Sequence, residues 1–378
     1  MNSMTQMISR LGKLKQIKKA KQVDAFLVTA SSSVKYFSGY FFYFEYGVSP
    51  FHLLPAILMV APDQDACLVL ADNEMGQVPF LDPLLRVSTY ESYTFETVPD
   101  PIGSCLKKLC EFIDQNNLGS SRVGIEQSAF PYAIPNSLKD LYPLLEWVDV
   151  GPEIDHCKLI KDEDEIDFIR RAAALADIGQ AAVLKYAAPG ITELELFSLA
   201  HRDMEAAIGY RVPLMSDLSS GANTNGGGGM PTNKIIESGD LILSDFQPCL
   251  QGYWGDSCNS MVIGSSTKEQ KETFILVREA LEIGIAAIKP GVQAKTVDRL
   301  MRDHIGNYPH HSGHSLGTAY HESPRITPYN AMVLVPGMLI ALEPAIYREQ
   351  YGIRLEHLVL VTSTGCEVIT QFQHRFEQ

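Results

Sequence analysis

Residues 241–264, LILSDFQPCLQGYWGDSCNSMVIG, hold two aspartates whose spacing could do chemistry. Two runs of β character flank residues 248–252, so the segment reads as a hairpin. A turn centred between Leu250 and Gln251 sets Asp245 directly opposite Asp256. Directly opposed residues on one sheet face have Cβ atoms roughly 4.5–5.5 Å apart, and like charges there are destabilising. The pair therefore needs a shared proton, a basic side chain or a cation. Residues 339–360, LIALEPAIYREQYGIRLEHLVL, repeat the arrangement: a turn centred between Glu349 and Gln350 sets Glu343 opposite Glu356. Either pair alone could be two stray acids on a surface hairpin. Both at mirrored positions would bring about four negative charges together, too many to bury unneutralised. Divalent cations with oxygen-rich coordination solve that problem with the fewest groups.

A histidine cluster, HHSGHSLGTAYHE at residues 310–322, lies between the two hairpins. His310 and His314 have the spacing of a helical zinc pair, but Gly313 and Gly317 weigh against a helix. In an extended strand His310 and His314 share a face, and His311 points the other way as a structural residue. A lone histidine on an apolar strand is ordinarily a satisfied core residue; four acids that need a metal turn at least one of these into a ligand. One imidazole with four carboxylates suits two metals sharing a bridging water, about 3.5–4 Å apart.

The elements that must position these groups come from a chain of 378 residues, enough for two domains with a core each. With 45 acidic and 31 basic side chains the net charge is −14, which disfavours nucleic acid or anionic membrane as a partner. Seven cysteines without a Cys-x-x-Cys pair fit reduced thiols in a cytoplasm. No apolar run is long enough to span a membrane. The Lys-rich start lacks an apolar signal region and reads as a solvated surface helix, a basic membrane anchor being the alternative. From Val23 to Leu70, DAFLVTA, YFSGYFFYF, AILMVAP and ACLVLAD read as strands of an α/β domain, with helices near 101–117 and 135–145. Periodicity lapses over 149–161, where the domain boundary is expected. Beyond it, a long helix, Pro-Gly, a second helix and a hairpin occur twice, around Pro189-Gly190 and Pro290-Gly291. The offset of about a hundred residues is too long for a solenoid repeat and implies two α+β halves meeting at a shared site.

These residues carry a resemblance to the pita-bread metallopeptidases: aminopeptidase P, prolidase, methionine aminopeptidase and metal-free creatinase. It is strong over 160–370 and weaker over 1–150, which resemble the creatinase/prolidase N-terminal domain. The resemblance implies an α/β N-terminal domain, residues 1–152, and an α+β pita-bread catalytic domain with an internal pseudo-two-fold repeat, residues 153–378. The family's five metal ligands fall on Asp245, Asp256, His314, Glu343 and Glu356, within GDLILSD, GYWGD, GHSLG, LEPAIY and GIRLE. Its substrate-facing histidine falls on His321 of HESP, another active-site histidine on His310, and an arginine beside the metals on Arg354.

So read, the chain is a dinuclear hydrolase that cleaves an Xaa-Pro peptide or small amide with a metal-bridging hydroxide. Manganese is the first choice of metal, with cobalt, iron or zinc as alternatives. Glu343 would accept a proton, His321 would donate to the developing oxyanion or orient the substrate, and His310 and Arg354 would orient ligands. The resemblance further suggests a homodimer. Two departures bear on the substrate. Gly228 stands seventeen residues before Asp245, where the peptidases usually have a further histidine, and Cys258-Asn259-Ser260 replaces their Thr-Arg-Thr. A non-peptide hydrolase or lyase for a small nitrogen or sulfur compound is therefore the alternative; a non-catalytic peptide-binding module would require a decayed ligand set. The glycine run at 226–229 reads equally as a lid or as a solvated loop.

Overall fold

The apolar runs of the first 158 residues become a sheet covered on both faces. The computed structural model describes residues 3–41, 54–63, 65–74 and 85–377, in two compact units, Met1–Lys158 and Leu159–Gln378. The first contains helices α1 (Ser3–Lys21), α2 (Ser31–Ser38), α3 (Pro101–Gln115), α4 (Ala133–Leu138) and α5 (Gly151–Lys158). Its strands are β1 (Ala25–Val28), β2 (Ile57–Val60), β3 (Ala66–Ala71), β4 (Arg86–Tyr90), β5 (Arg122–Ile125) and β6 (Glu146–Asp149). They form one mixed sheet in the order β4-β3-β2-β1-β5-β6. Alternation sends Phe26 and Val28 into a core with Leu14 and Ile154, and Ala25 and Leu27 into another with Leu109 and Phe112. Two covered faces explain why these strands are apolar throughout.

Three expectations are corrected here. The start of YFSGYFFYF is not strand: Tyr36–Ser38 close α2, which ends on the left-handed Gly39 (φ 78°), while residues 42–44 lie outside the described residues. Burying Val34 and Phe37 on one helical side outweighs the β preference of the aromatic run. The N-terminal helix is not merely a solvated one, since Leu11, Leu14 and Ile17 belong to the core. The helix expected at 135–145 is limited to Ala133–Leu138. The segment 149–161 contains α5, whose Ile154 is buried in the first unit's core. All seven cysteines are free, and no helix among the described residues is long and apolar enough to cross a membrane.

The second unit is built twice over. Its helices are α6 (Glu163–Tyr186), α7 (Glu193–Ile208), α8 (Lys268–Ala287) and α9 (Ala294–Ile305). Strands β7 (Leu214–Ser220), β8 (Leu241–Leu250), β9 (Tyr253–Trp254) and β10 (Ser257–Val262) form a sheet ordered β10-β8-β7, with β9 on β8. Strands β11 (Gly313–Ser315), β12 (Glu322–Ile326), β13 (Leu339–Leu342), β16 (His357–Val361) and β17 (Cys366–Val368) form the sheet β12-β11-β13-β16-β17; β14 (Ala345–Tyr347) pairs with β15 (Gly352–Arg354). The repeat extends to single hydrogen bonds. Gly190 N donates to Ile236 O as Gly291 N does to Leu334 O, and Gly239 N to Ile263 O as Gly337 N does to Val361 O, each at 2.7–2.9 Å. All four glycines have positive φ, which an L-residue adopts only at a cost. The halves join where Ser260 Oγ and Arg354 N approach to 3.0 Å and Glu356 N donates to Cys258 O at 3.0 Å.

A buried ion pair fixes the loop before β12. Lys161 Nζ lies 2.6 Å from Glu322 Oε2, with side chains 0% and 5% exposed. Glu322 Oε1 also accepts from Ala319 N at 3.0 Å, closing the turn that carries Tyr320 and His321. Lys161→Met strands a buried carboxylate and is expected to destabilise the protein by about 3–5 kcal/mol in urea unfolding. A loss below about 1 kcal/mol would mean that water reaches the pair.

Candidate metal centre

β8 brings Asp245 to the middle of the first half's sheet. The hairpin turns later than the sequence suggested: Gln251 (φ 50°) and Gly252 (φ 84°) are its two central residues, both left-handed, as a tight two-residue turn requires. Asp245 is therefore opposite Cys258, not Asp256. Asp256 lies two residues from that position, a diagonal neighbour on the same face. Gly255 lets the chain pass over α6, since a Cβ there would meet the Ala172 carbonyl carbon at 2.4 Å. The acid directly opposed to Asp245 is Asp217 of β7. Arg354 Nη2 compensates that pair, at 2.5 Å from Asp245 Oδ2 and 3.2 Å from Asp217 Oδ2. Gln247, two residues along β8, donates Nε2 to Asp245 Oδ1 at 2.5 Å and to Asp256 Oδ1 at 3.0 Å.

In the second half the register on both sides, Leu342 with His357 and Ala345 with Arg354, places Glu343 opposite Glu356 as the sequence suggested. His314 lies on β11, where position 313 accepts only glycine, since a Cβ there would stand 2.1 Å from the Ala341 carbonyl oxygen. The expected strand alternation does not extend to residues 310–312, because β11 starts at Gly313. His311 consequently faces inward rather than away, its Nε2 at 2.9 Å from Glu343 Oε1. His310 Nδ1 is 3.8 Å from Glu343 Oε2, and its Nε2 is 2.9 Å from the Tyr347 hydroxyl. Arg302 Nη2 holds the His310 carbonyl at 2.7 Å. The His321 ring is exposed, 4.3 Å from that of His314.

These groups line one cavity of about 400 Å³. Their electrostatics favour a cation. Burial pushes Asp245 up to about 6 against the pull of Arg354, and burial together with neighbouring acids pushes Asp256 and Glu356 well above the carboxylate range. Glu343 differs: burial raises it, but the His311 hydrogen bond, His314 and Arg354 hold it at about 2. Glu356 Oε1 is buried without a hydrogen-bond partner. His314 Nδ1 donates to Ser315 O at 2.9 Å, so its Nε2 lone pair points to Asp256 Oδ2 at 3.5 Å and Glu343 Oε1 at 3.6 Å. Ligand atoms of Asp256, His314 and Glu356 lie within 4.8 Å of one another, as do those of His311, His314 and His321. An orphaned oxygen, a correctly oriented imidazole and carboxylates short of positive charge fit divalent cations.

Behind Glu356, His374 Nε2 donates to its carbonyl at 3.0 Å, and the His374 and His357 rings are 4.3 Å apart. Burial holds His357 down to about 4 and His374 to about 3. Both are neutral when folded, while the unfolded chain takes up protons below about pH 6.5. Stability is thus full above that pH and is lost as pH falls towards the folded values. His357→Asn is expected to flatten the slope of unfolding free energy between pH 6.5 and 4.5 by up to ~1.4 kcal/mol per pH unit. Parallel urea-unfolding profiles for the two proteins would assign that slope elsewhere.

Sequence reasoning missed Gln247, Asp217, Tyr347 and the inward turn of His311. Gln247 was accessible through strand alternation from Asp245. Asp217 was not, because its pairing depends on how β8 returns antiparallel to β7 after the long connection through residues 221–240.

The model of metallopeptidase family M24 matches residues 167–363, and that of the creatinase/prolidase N-terminal domain matches residues 10–160. The chain is 28% identical to the uncharacterized peptidase YqhT of Bacillus subtilis, over 96% of this chain and 97% of that protein. It is 32% identical to an Xaa-Pro dipeptidase of Pyrococcus horikoshii, over 70% of this chain and 77% of that protein. Among solved structures, the prolidase from Pyrococcus horikoshii OT3 superposes with a TM-score of 0.81 at 27% identity, covering 97% of this chain and 99% of that one.

Proposed function

The chain belongs to metallopeptidase family M24 and is a metal-dependent peptidase, and from that premise we propose that it cleaves Xaa-Pro peptides at a centre of two divalent ions. Asp245, Asp256, His314, Glu343 and Glu356 would hold the ions. When bound, such ions lower the pKa of water towards neutrality and polarise the scissile carbonyl. The observation that carries the reading is the convergence of ligand atoms of Asp256, His314 and Glu356 within 4.8 Å of one another, with a buried Glu356 oxygen left without a hydrogen-bond partner, in a cavity furnished by both halves of the unit. Manganese is the first ion to load, because oxygen donors outnumber the imidazole.

The chain's own residues do the rest. Glu343, with imidazoles of His310, His311 and His314 within 3.8 Å, accepts the proton that water gives up as it attacks. His321, exposed at the cavity, donates to the oxygen on which charge develops. Arg354 and Gln247 fix the two aspartates and so keep their oxygens in place. His310 is oriented by Tyr347 and by Arg302 through its carbonyl.

Metal-loaded protein assayed on Xaa-Pro dipeptides, longer Xaa-Pro peptides and small non-peptide amides tests the reading. Turnover of dipeptides alone fits a prolidase, and turnover of longer chains an aminopeptidase P; no peptide turnover would reject both. A non-peptide hydrolase or lyase is the second reading, favoured by one observation: at Gly228 (φ 129°) no side chain is present, and a Cβ there would meet the Asp217 carboxylate.

A further inference from the structure

The space beside Gly228 is occupied by a side chain of the neighbouring strand β7. A Cβ on Gly228 would stand 2.1 Å from Asp217 Oδ2 and 2.5 Å from its Cγ, so the Asp217 carboxylate fills the space where that side chain would begin. Neither Gly227 nor Gly228 can shield it. Asp217 is also the open carboxylate of the cavity: its side chain is 38% exposed, against 8% for Asp245, 4% for Asp256 and 11% for Glu343.

Its charge is only half answered within the protein. Asp217 and Asp245 are directly opposed across β7 and β8, and one guanidinium serves both. Arg354 Nη2 is nearer Asp245, at 2.5 Å against 3.2 Å, and Arg354 Nη1 donates to the Gly227 carbonyl. Surplus negative charge is left on the carboxylate that substrate can reach, and a like charge arriving there would be repelled. Met215, two residues away on β7 and so on the same face, lines the cavity with Tyr320. Together they offer an apolar and aromatic lining for an alkyl stem that ends in a cation.

Resting on the peptidase reading above, we infer that Asp217 is a specificity-determining residue that selects substrates bearing an ammonium or guanidinium group beside the scissile amide. The group is either the peptide's own α-amino group or a basic side chain.

Two pairs of ligands separate these sources on the metal-loaded full-length protein: Arg-Pro against citrulline-Pro for the side chain, and norleucine-Pro against hexanoyl-Pro for the α-amino group. Both kcat/KM and the calorimetric Kd are read. Wild-type protein should favour the charged member of at least one pair by about tenfold or more, the scale of a charge-assisted hydrogen bond. Asp217→Asn should bring that ratio to within about twofold, and Asp217→Glu should keep part of it. Asp217→Ser serves in the same way should the asparagine variant not fold. Equal wild-type values in both pairs, or a preference that survives in Asp217→Asn, overturns the assignment. If no peptide is cleaved, the peptidase reading fails by itself, while the Kd ratios still decide the role of Asp217.

Discussion

Asp256→Asn is expected to abolish metal-dependent turnover while leaving the metal-free protein at least as stable as the wild type. The two effects have opposite signs for one reason. Burial, reinforced by Asp245, pushes the Asp256 carboxyl well above the usual range, so its charge burdens the folded protein until a cation arrives. Asparagine removes that burden and with it the attraction. A unit charge pair about 4 Å apart is worth ~4 kcal/mol at an effective dielectric constant near 20, so the loss of one carboxylate from a divalent site should weaken binding by roughly 10³-fold or more. Elemental analysis after reconstitution and thermal unfolding with and without manganese check both halves. Full metal content with wild-type turnover in the variant would remove Asp256 from the cage.

Glu343→Gln is expected to lower kcat by about 10³-fold with little change in KM, the pattern of a group used in the transition state rather than in substrate binding. Glu343 is the carboxylate with imidazoles around it: His311 at 2.9 Å, His314 at 3.6 Å and His310 at 3.8 Å. A proton accepted there has a route onward through His311, whose Nε2 is at hydrogen-bond distance from Oε1, a contact no other acid of the cavity makes with an imidazole among the described contacts. The measurement is steady-state kinetics at saturating manganese with metal content determined in parallel. A kcat within tenfold of wild type would place the proton acceptor elsewhere. A protein that cannot be loaded would make Glu343 a ligand before anything else.

The two acidic hairpins were legible because hairpin geometry is local: a turn position fixes which residues share a face. For Glu343 and Glu356 that logic gave the register found in the structure. For Asp245 the turn itself was misplaced, since a left-handed Gln251 is not announced by its residue type. The face survived the error, and the partner did not. The same limit explains His311, whose direction follows from where β11 begins rather than from alternation along the whole histidine run. In the first unit, the strand residues of β1, β2 and β3 were readable from their apolar runs, whereas Tyr36–Ser38 were not, because helix α2 is settled by what it packs against.

What the chain determined alone is therefore the inventory: the acids and imidazoles of the centre, their local spacing, and the duplicated helix and hairpin order that sets them in two halves. Only the tertiary structure decided which carboxylates meet. Asp217 reaches Asp245 because β8 returns antiparallel to β7 after a long connection, Arg354 reaches both from the other half, and Gly228 leaves the room that Asp217 takes. The reason is one of range. Periodicity and turn chemistry act over a few residues, while the neutralisation of buried charge depends on groups brought together from far along the chain, and these coexist only once both halves are packed.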